Sequence, residues 1–288
     1  MKKITLAVTL LFLTGIASAQ TDSANNKNDT MRIGNIIIIK KGKVKNADSS
    51  FVMGRSNPAK KTNDRFSTNW FVFDIGFANY NDKTDYANTG NYLVNSPGGL
   101  AWSKSDFKLR TGKSINVNIW FFMQTMHLVK KNVNLKYGLG LELNNYRFKS
   151  NISYKEDGPI PYSGGMQTND AFIFRDSILF GKNKLAADYL TVPLMINFAS
   201  NKYSRNKGIS ASFGVSAGYL YSQRNKQKSD ARGNKKNKGE YDLEKFKLSY
   251  IAELGFGPVK LYGSYSPKSM YEHSLDVRPY NIGFRISN

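Results

Sequence analysis

The sequence predicts an all-β protein, an eight-stranded antiparallel transmembrane β-barrel of the outer-membrane type with short periplasmic turns and long extracellular loops. From residue 69 onward, apolar and polar side chains alternate with a period of two, which is typical of strands whose two faces meet different surroundings. The connections between these segments are long and short in turn, as in outer-membrane barrels. After residue 18 the chain contains no apolar run long enough for a membrane-spanning helix, and its mean hydropathy is −0.47.

The N-terminal residues are typical of a secretory signal peptide. Lys2 and Lys3 precede an apolar stretch at residues 4–16, which ends in the small residues Ala17, Ser18 and Ala19. The stretch is too short for a membrane anchor. We therefore expect a signal peptide at residues 1–19 and a mature chain that works outside the cytoplasm.

The segment that follows, residues 20–67, is predicted to be a largely irregular periplasmic arm. It is rich in Asn, Ser and basic residues and poor in apolar ones, apart from four isoleucines at residues 36–39, where a short strand is expected. The barrel domain is predicted to occupy residues 68–288.

Eight alternating segments make up the predicted barrel. In the first, Phe71, Phe73 and Ile75 share one face, whereas Asp74 and Gly76 lie on the other. The same rule places the predicted strands at residues 70–80, 107–122, 133–144, 189–198, 209–221, 246–256, 259–265 and 280–286. Long connections follow every odd-numbered segment, so both ends of the barrel domain are expected on the short-turn, periplasmic side.

The residues of the polar face indicate which side of the barrel wall meets lipid. A soluble calyx has an apolar interior, whereas a membrane barrel has an apolar exterior. Gly, Ser and Asn dominate the polar face here, and such residues suit the narrow interior of eight strands. We expect the few inward charges to pair and fill the lumen, with a small polar conduit as the alternative; they are Asp74, Lys136, Glu142, Glu253, Lys260 and Arg285.

The residue types needed for catalysis are scarce. The chain contains no cysteine and two histidines, and His273 lies beside Glu272 and Ser274 in a predicted loop. Catalytic triads are recognised by geometry across a fold, so this short run is weak evidence for one. Glu156 and Asp157 lack the spacing of a calcium-binding loop. We therefore predict no enzyme, no catalytic residue, no cofactor and no metal site.

The chain has a net charge of +21, and part of it comes from a basic segment at residues 224–238, within a predicted extracellular loop. Export argues against nucleic acid as the partner, and an anionic membrane surface is favoured instead. We expect a flexible loop that makes diffuse contact with outer-membrane lipid and lipopolysaccharide, through Arg224, Lys226, Lys228, Lys235, Lys236 and Lys238. Plain solubility is the alternative role, other envelope proteins are alternative partners, and the protein is expected to be a monomer.

One segment carries a resemblance to a known family. Lys184-Leu185 followed by Tyr189-Leu190-Thr191-Val192-Pro193-Leu194 resembles a strand motif of the outer-membrane β-barrel domain family common in Bacteroidetes, of the PorT-like type. Thr191 stands where that family usually has an acidic residue. The resemblance implies an outer-membrane location and implies no reaction.

Three functions remain open from the sequence. We favour a non-enzymatic outer-membrane protein of structural or surface-interacting type. The alternatives are a narrow polar channel and an accessory factor in protein secretion or outer-membrane assembly.

Overall fold

The computed structural model describes residues 29–33, 36–40, 65–129, 132–200, 208–257 and 259–286. The chain divides into two compact units, Met1–Asn63 and Asp64–Asn288. In the first unit, Asp29–Ile33 and Ile36–Lys40 form a two-stranded antiparallel hairpin, so the strand expected at residues 36–39 is present. The predicted signal peptide at residues 1–19 and most of the predicted arm lie outside the described residues.

Eight long strands in the second unit form a closed ring. They are β1 (Phe66–Asp82), β2 (Ile115–Val129), β3 (Val133–Arg147), β4 (Lys182–Ala199), β5 (Ile209–Ser229), β6 (Phe246–Phe256), β7 (Val259–Tyr265) and β8 (Val277–Ile286). Each strand pairs antiparallel with the next, and β8 pairs with β1 to close the barrel. The predicted fold class is therefore confirmed. Within the part of the chain that is described, no helix is long and apolar enough to cross a membrane.

The two faces of the wall differ as predicted. On β4, Leu190, Leu194 and Phe198 point outward and are 40–49% exposed, whereas Thr191 and Met195 point inward and are nearly fully buried. The outward apolar side chains of the other strands are exposed in the same way, and the inward ones are mostly Asn, Ser and charged residues. The barrel therefore has an apolar exterior and a polar lumen, as outer-membrane barrels do.

Several strand boundaries differ from the predicted ones, and the differences are largest in the second, fourth and fifth strands. The second strand begins at Ile115 instead of Phe107, because Phe107 and Leu109 are buried in a loop core. The fourth begins at Lys182 and the fifth ends at Ser229, so both extend well beyond the apolar alternation. The ladder continues past the apolar band because backbone pairing does not require apolar side chains.

Phe71 and Pro193 are two of the positions at which the ladder is interrupted. Phe71 has a φ of 52°, and the pairing between β1 and β2 skips it, so that Trp70 and Phe71 both face outward. Pro193 has Ser216 of β5 opposite it, whereas the pairing with β3 is interrupted there. A proline lacks the backbone N–H that a regular ladder needs on both sides.

The long connections carry short elements of their own. Phe172–Arg175 pairs antiparallel with Ile152–Lys155 and parallel with Leu93–Val94. The remaining loop elements are the strands Gly158–Pro159, Gln167–Thr168 and Gly233–Lys238 and the 3-10 turns Gly90–Tyr92 and Thr111–Lys113. These elements lie at the end of the barrel opposite the short turns, which is the extracellular end.

Candidate functional site: the lumen and the extracellular end

Arg285 is the centre of an ion-pair network inside the barrel. Its Nε donates to Asp74 Oδ1 at 2.6 Å and its Nη2 donates to Asp74 Oδ2 at 2.7 Å. Its Nη1 also pairs with Glu253, which accepts a second cation, Lys136. These four residues come from β1, β3, β6 and β8, so the contacts cross the lumen, and each side chain is at most 7% exposed.

A second ion pair lies beside the first group. Lys247 of β6 pairs with Glu142 of β3, and its ammonium lies 4.5 Å from the centre of the Tyr189 ring. Glu142 also accepts hydrogen bonds from Asn144 at 3.0 Å and Asn281 at 3.2 Å. The two groups together hold three carboxylates and three cations, so the buried charges of this network sum to zero.

Neutral side chains donate further hydrogen bonds to the carboxylate of Asp74. Trp120 Nε1 and Asn118 Nδ2 donate to the same carboxylate oxygen at 2.7 Å and 3.0 Å. Asn116 links Asn118 and Asn144 by hydrogen bonds of 3.0 Å and 2.9 Å. A lumen cavity bounded in part by Trp120 measures about 30 Å³, the room of about one water molecule. Side chains therefore fill this section of the barrel.

The structure brings together five of the six lumen charges that the sequence suggested: Asp74, Lys136, Glu142, Glu253 and Arg285. The sixth, Lys260, is half-buried on β7, opposite Arg285 in the ladder. Lys247 belongs to the network and was not among the six. Its position on the polar face of β6 is readable from the sequence, but its partner is not, because Glu142 lies on a strand that does not neighbour β6.

The extracellular loops share an aromatic core. Tyr92 of the first loop donates a hydrogen bond to the Tyr241 carbonyl of the third at 2.8 Å. The hydroxyls of Tyr154 in the second loop and Tyr271 in the fourth are also 2.8 Å apart. Burial raises the pKa of Tyr154 and Tyr271, so both stay neutral. The four loops therefore pack as one unit at the end of the barrel.

Arg175 joins the second loop to the first. Its guanidinium donates to both carboxylate oxygens of Asp106, at 2.8 Å and 3.0 Å, and to the carbonyls of Leu100 and Ala101 at 2.6 Å and 3.0 Å. It also lies 4.2 Å above the Trp102 ring. This bidentate and stacked geometry is specific to arginine and fixes the position of the first loop.

The basic segment is an ordered hairpin, so the expectation of a flexible loop was wrong. β5 runs on to Ser229, and Gly233–Lys238 pairs back against it with Arg224 opposite Lys238. Two observations explain the order. β4 extends the ladder on the other side of β5, and Gln227 Nε2 donates to Ser153 Oγ of the second loop at 2.8 Å. We call residues 224–238 the basic hairpin.

The register of the basic hairpin divides its six candidate lipid contacts between two faces. Five of them point outward from the barrel wall: Arg224, Lys226, Lys228, Lys236 and Lys238. Lys235 lies opposite the inward-facing Gln227 and is on the other face. Three further cations share the outward face and were missed from the sequence: Arg147, Lys182 and Lys184. The alternation in Lys182-Asn183-Lys184 could have shown that two of them share a face, had the fourth strand been extended to residue 182.

His273 is an exposed residue at the rim of a loop cavity of about 580 Å³. Its Nδ1 lies 2.6 Å from Asp242 Oδ1, and this contact raises the pKa of His273. Possible metal-ligating atoms of Asp242, Glu272 and His273 lie within 4.8 Å of one another. A histidine nitrogen with two carboxylates is a donor set typical of zinc, but proximity of such groups at a surface does not by itself make a binding site.

Comparison with known proteins gives one family. The model of a family described as "Outer membrane protein beta-barrel domain" matches residues 87–267. A comparison with curated proteins finds no match. Among solved structures, Ail, the attachment invasion locus protein of Yersinia pestis, is similar at 14% identity with a TM-score of 0.30, over 76% of this chain and 99% of that chain. The finer PorT-like assignment stays a prediction.

Proposed function

This chain belongs to the outer membrane protein beta-barrel domain family and lies in the outer membrane, and from this premise we propose that it is a non-enzymatic, surface-interacting protein. In this proposal the barrel is a closed anchor, and the extracellular end together with the adjoining outer wall makes the functional contacts.

The observation that carries the proposal is the filled lumen. Three carboxylates and three cations pair across it, and neutral Asn, Ser and Trp side chains complete their hydrogen bonds. Moving an ion through this section would require these pairs to separate, which leaves buried charges uncompensated at a cost of several kcal/mol. A packed lumen therefore supports an anchor over a conduit.

The extracellular end supports the second half of the proposal. Its four loops share an aromatic core, and Arg175 fixes the first loop to the second through Asp106. A surface that is already ordered loses little conformational entropy when it binds a partner. The loops are therefore suited to present a fixed surface.

Conductance in planar lipid bilayers tests the closed lumen. We expect the purified, folded protein to insert without producing steady channels, because the ion pairs around Arg285 and Glu142 block the lumen. An unrelated open porin in the same bilayers serves as the positive control, and a heat-dependent shift in gel mobility verifies folding. Reproducible single-channel steps from the wild-type protein would establish the narrow polar channel instead.

A further inference from the structure

Four basic side chains form a row across four neighbouring strands of the outer wall. Arg147 of β3 lies opposite Lys184 of β4, and Lys184 lies opposite Lys226 of β5. Lys226 in turn lies opposite Lys236 of the strand Gly233–Lys238, the second strand of the basic hairpin. Directly paired residues point to the same face, and strands lie about 4.8 Å apart, so the row is about 14 Å long. We call these four residues the cationic row. Further cations flank it on the same face: Lys182, Arg224, Lys228 and Lys238.

The cationic row brings like charges together. Lys184 Nζ donates to the neutral Asn145 Oδ1 at 2.6 Å, and Arg147 Nη2 donates to the Gly181 carbonyl at 2.8 Å. The carboxylate of Asp188 is paired with Arg224, which lies in the neighbouring row. Like charges directly opposite each other destabilise a pair of strands. A bound anion would offset this repulsion.

The pKa values of two lysines in the row are lowered by burial and by the neighbouring cations. Burial, followed by the nearby charges of Lys226, Lys182, Arg224 and Arg147, lowers the pKa of Lys184 to about 8. Burial and neighbouring cations lower the pKa of Lys226 as well. The neighbouring cations that contribute to both shifts produce a positive potential at this face, which favours an anionic ligand.

The height of the row on the barrel wall narrows the choice of ligand. On β5 the outward side chains change from Tyr219 and Tyr221, typical of a membrane interface, to Arg224 and Lys226. Lys226 is five residues beyond Tyr221 along the strand. At about 3.3 Å per residue and a tilt of about 40°, this places Lys226 about 13 Å above the tyrosines. By the same geometry Arg224, three residues beyond Tyr221, lies about 8 Å above it, near the top of a head-group layer about 5–8 Å thick. Lys226 is higher, and the four-carbon stem of its side chain lets the ammonium reach down toward the phosphates of the outer leaflet.

We propose that the cationic row is a saturable site for the phosphate groups of an anionic glycolipid in the outer leaflet. The proposal deepens the surface-interacting function above and rests on it for the orientation of the barrel. Lysine and arginine bind phosphate oxygens through charge-assisted hydrogen bonds, and neighbouring cations of the row can share one phosphate. The acyl chains of the same lipid lie against the apolar band below, which includes Leu190 and Tyr219.

The test is a titration of the full folded chain in detergent micelles with bisphosphorylated lipid A, followed by native mass spectrometry. Parallel arms use dephosphorylated lipid A and inorganic phosphate. We expect one phosphorylated lipid per chain and about tenfold or more weaker binding by the Lys184→Gln/Lys226→Gln variant, since two cations are removed. Lys83→Gln/Lys104→Gln removes the same charge from exposed positions in the first extracellular loop and is expected to bind like the wild type.

Three other results would overturn the proposal. Equal weakening by the two double variants would show diffuse attraction, as expected from net charge alone. Equal binding of phosphorylated and dephosphorylated lipid would remove phosphate as the ligand group, and displacement by inorganic phosphate at matched concentration would identify a free anion as the ligand. Lys226→Gln/Lys236→Gln is the second variant if the first does not fold. None of these outcomes depends on whether the lumen conducts, so this proposal and the closed lumen fail separately.

A pH profile gives an independent readout at Lys184. The groups that face it are Arg147 on β3, Lys226 and Arg224 on β5, and Lys182 on its own strand. Since its pKa is about 8, the cation is present below that pH and is lost above it. We expect the affinity for phosphorylated lipid A to fall from pH 7 to pH 9. Phosphate is already charged throughout this range. Lys184→Arg keeps its charge and is expected to flatten the profile, whereas identical profiles would contradict the role of Lys184.

Discussion

Replacing Arg285 by methionine is expected to lower the free energy of unfolding of the barrel by about 3–5 kcal/mol, because the change leaves a buried carboxylate without its cation. Glu253 keeps Lys136 as a partner in this variant. Asp74 keeps only neutral donors among the contacts described above, Trp120 and Asn118. The cost therefore falls mainly on Asp74, whose side chain is fully buried.

The measurement is reversible unfolding in urea of protein refolded into lipid vesicles. The matched control is the double variant Arg285→Met/Asp74→Asn, which removes the uncompensated charge as well as the cation. We expect this second change to restore most of the lost stability, since replacing both partners of a buried pair costs far less than removing one. An equal loss in the single and double variants would show that the packing of Arg285 matters and its charge does not.

Replacing Leu194 by arginine is expected to cost about 2–4 kcal/mol, the penalty for a cation on the lipid-facing surface near the membrane midplane. Leu194 lies in the middle of the apolar band on β4 and is 49% exposed. In a soluble protein an exposed leucine tolerates this change with little effect.

The matched control for this prediction is Leu179→Arg, in an extracellular loop where the leucine is 79% exposed. We expect its urea unfolding curve to overlay that of the wild type, since water solvates the new charge. Equal stability of the two variants in vesicles would contradict the assignment of the outer face to lipid.

The sequence predicted the barrel well where each strand has lipid on one side and the packed lumen on the other. That contrast imposes the alternation of Leu190, Val192 and Leu194 with Thr191 and Met195. Beyond the apolar band the contrast is lost, because the outer face meets head groups and the inner face meets the loop core. For this reason the alternation does not reveal the strand ends at Lys182 and Ser229, or that the basic hairpin is ordered.

For the site residues, the sequence predicted the face of the strand but not the pairing partner. The inward position of Glu253 follows from its place in an alternating strand, but its pairing with Lys136 does not, because β3 and β6 are not neighbours. The cationic row required the register of four strands, and Arg147 is 79 residues from Lys226 in the chain. Distances this long along the chain are set by topology and cannot be read from local pattern.

Spin-label accessibility along β4 tests most directly that the barrel is closed inside and lipid-facing outside. The chain has no cysteine, so each introduced cysteine carries a unique label. In vesicles, we expect high oxygen access at positions 190, 192, 194, 196 and 198, and low access to oxygen and to a water-soluble nickel reagent at positions 191, 195 and 197. Nickel access at the inward positions would show an open lumen, and oxygen access without alternation would contradict the barrel wall described here.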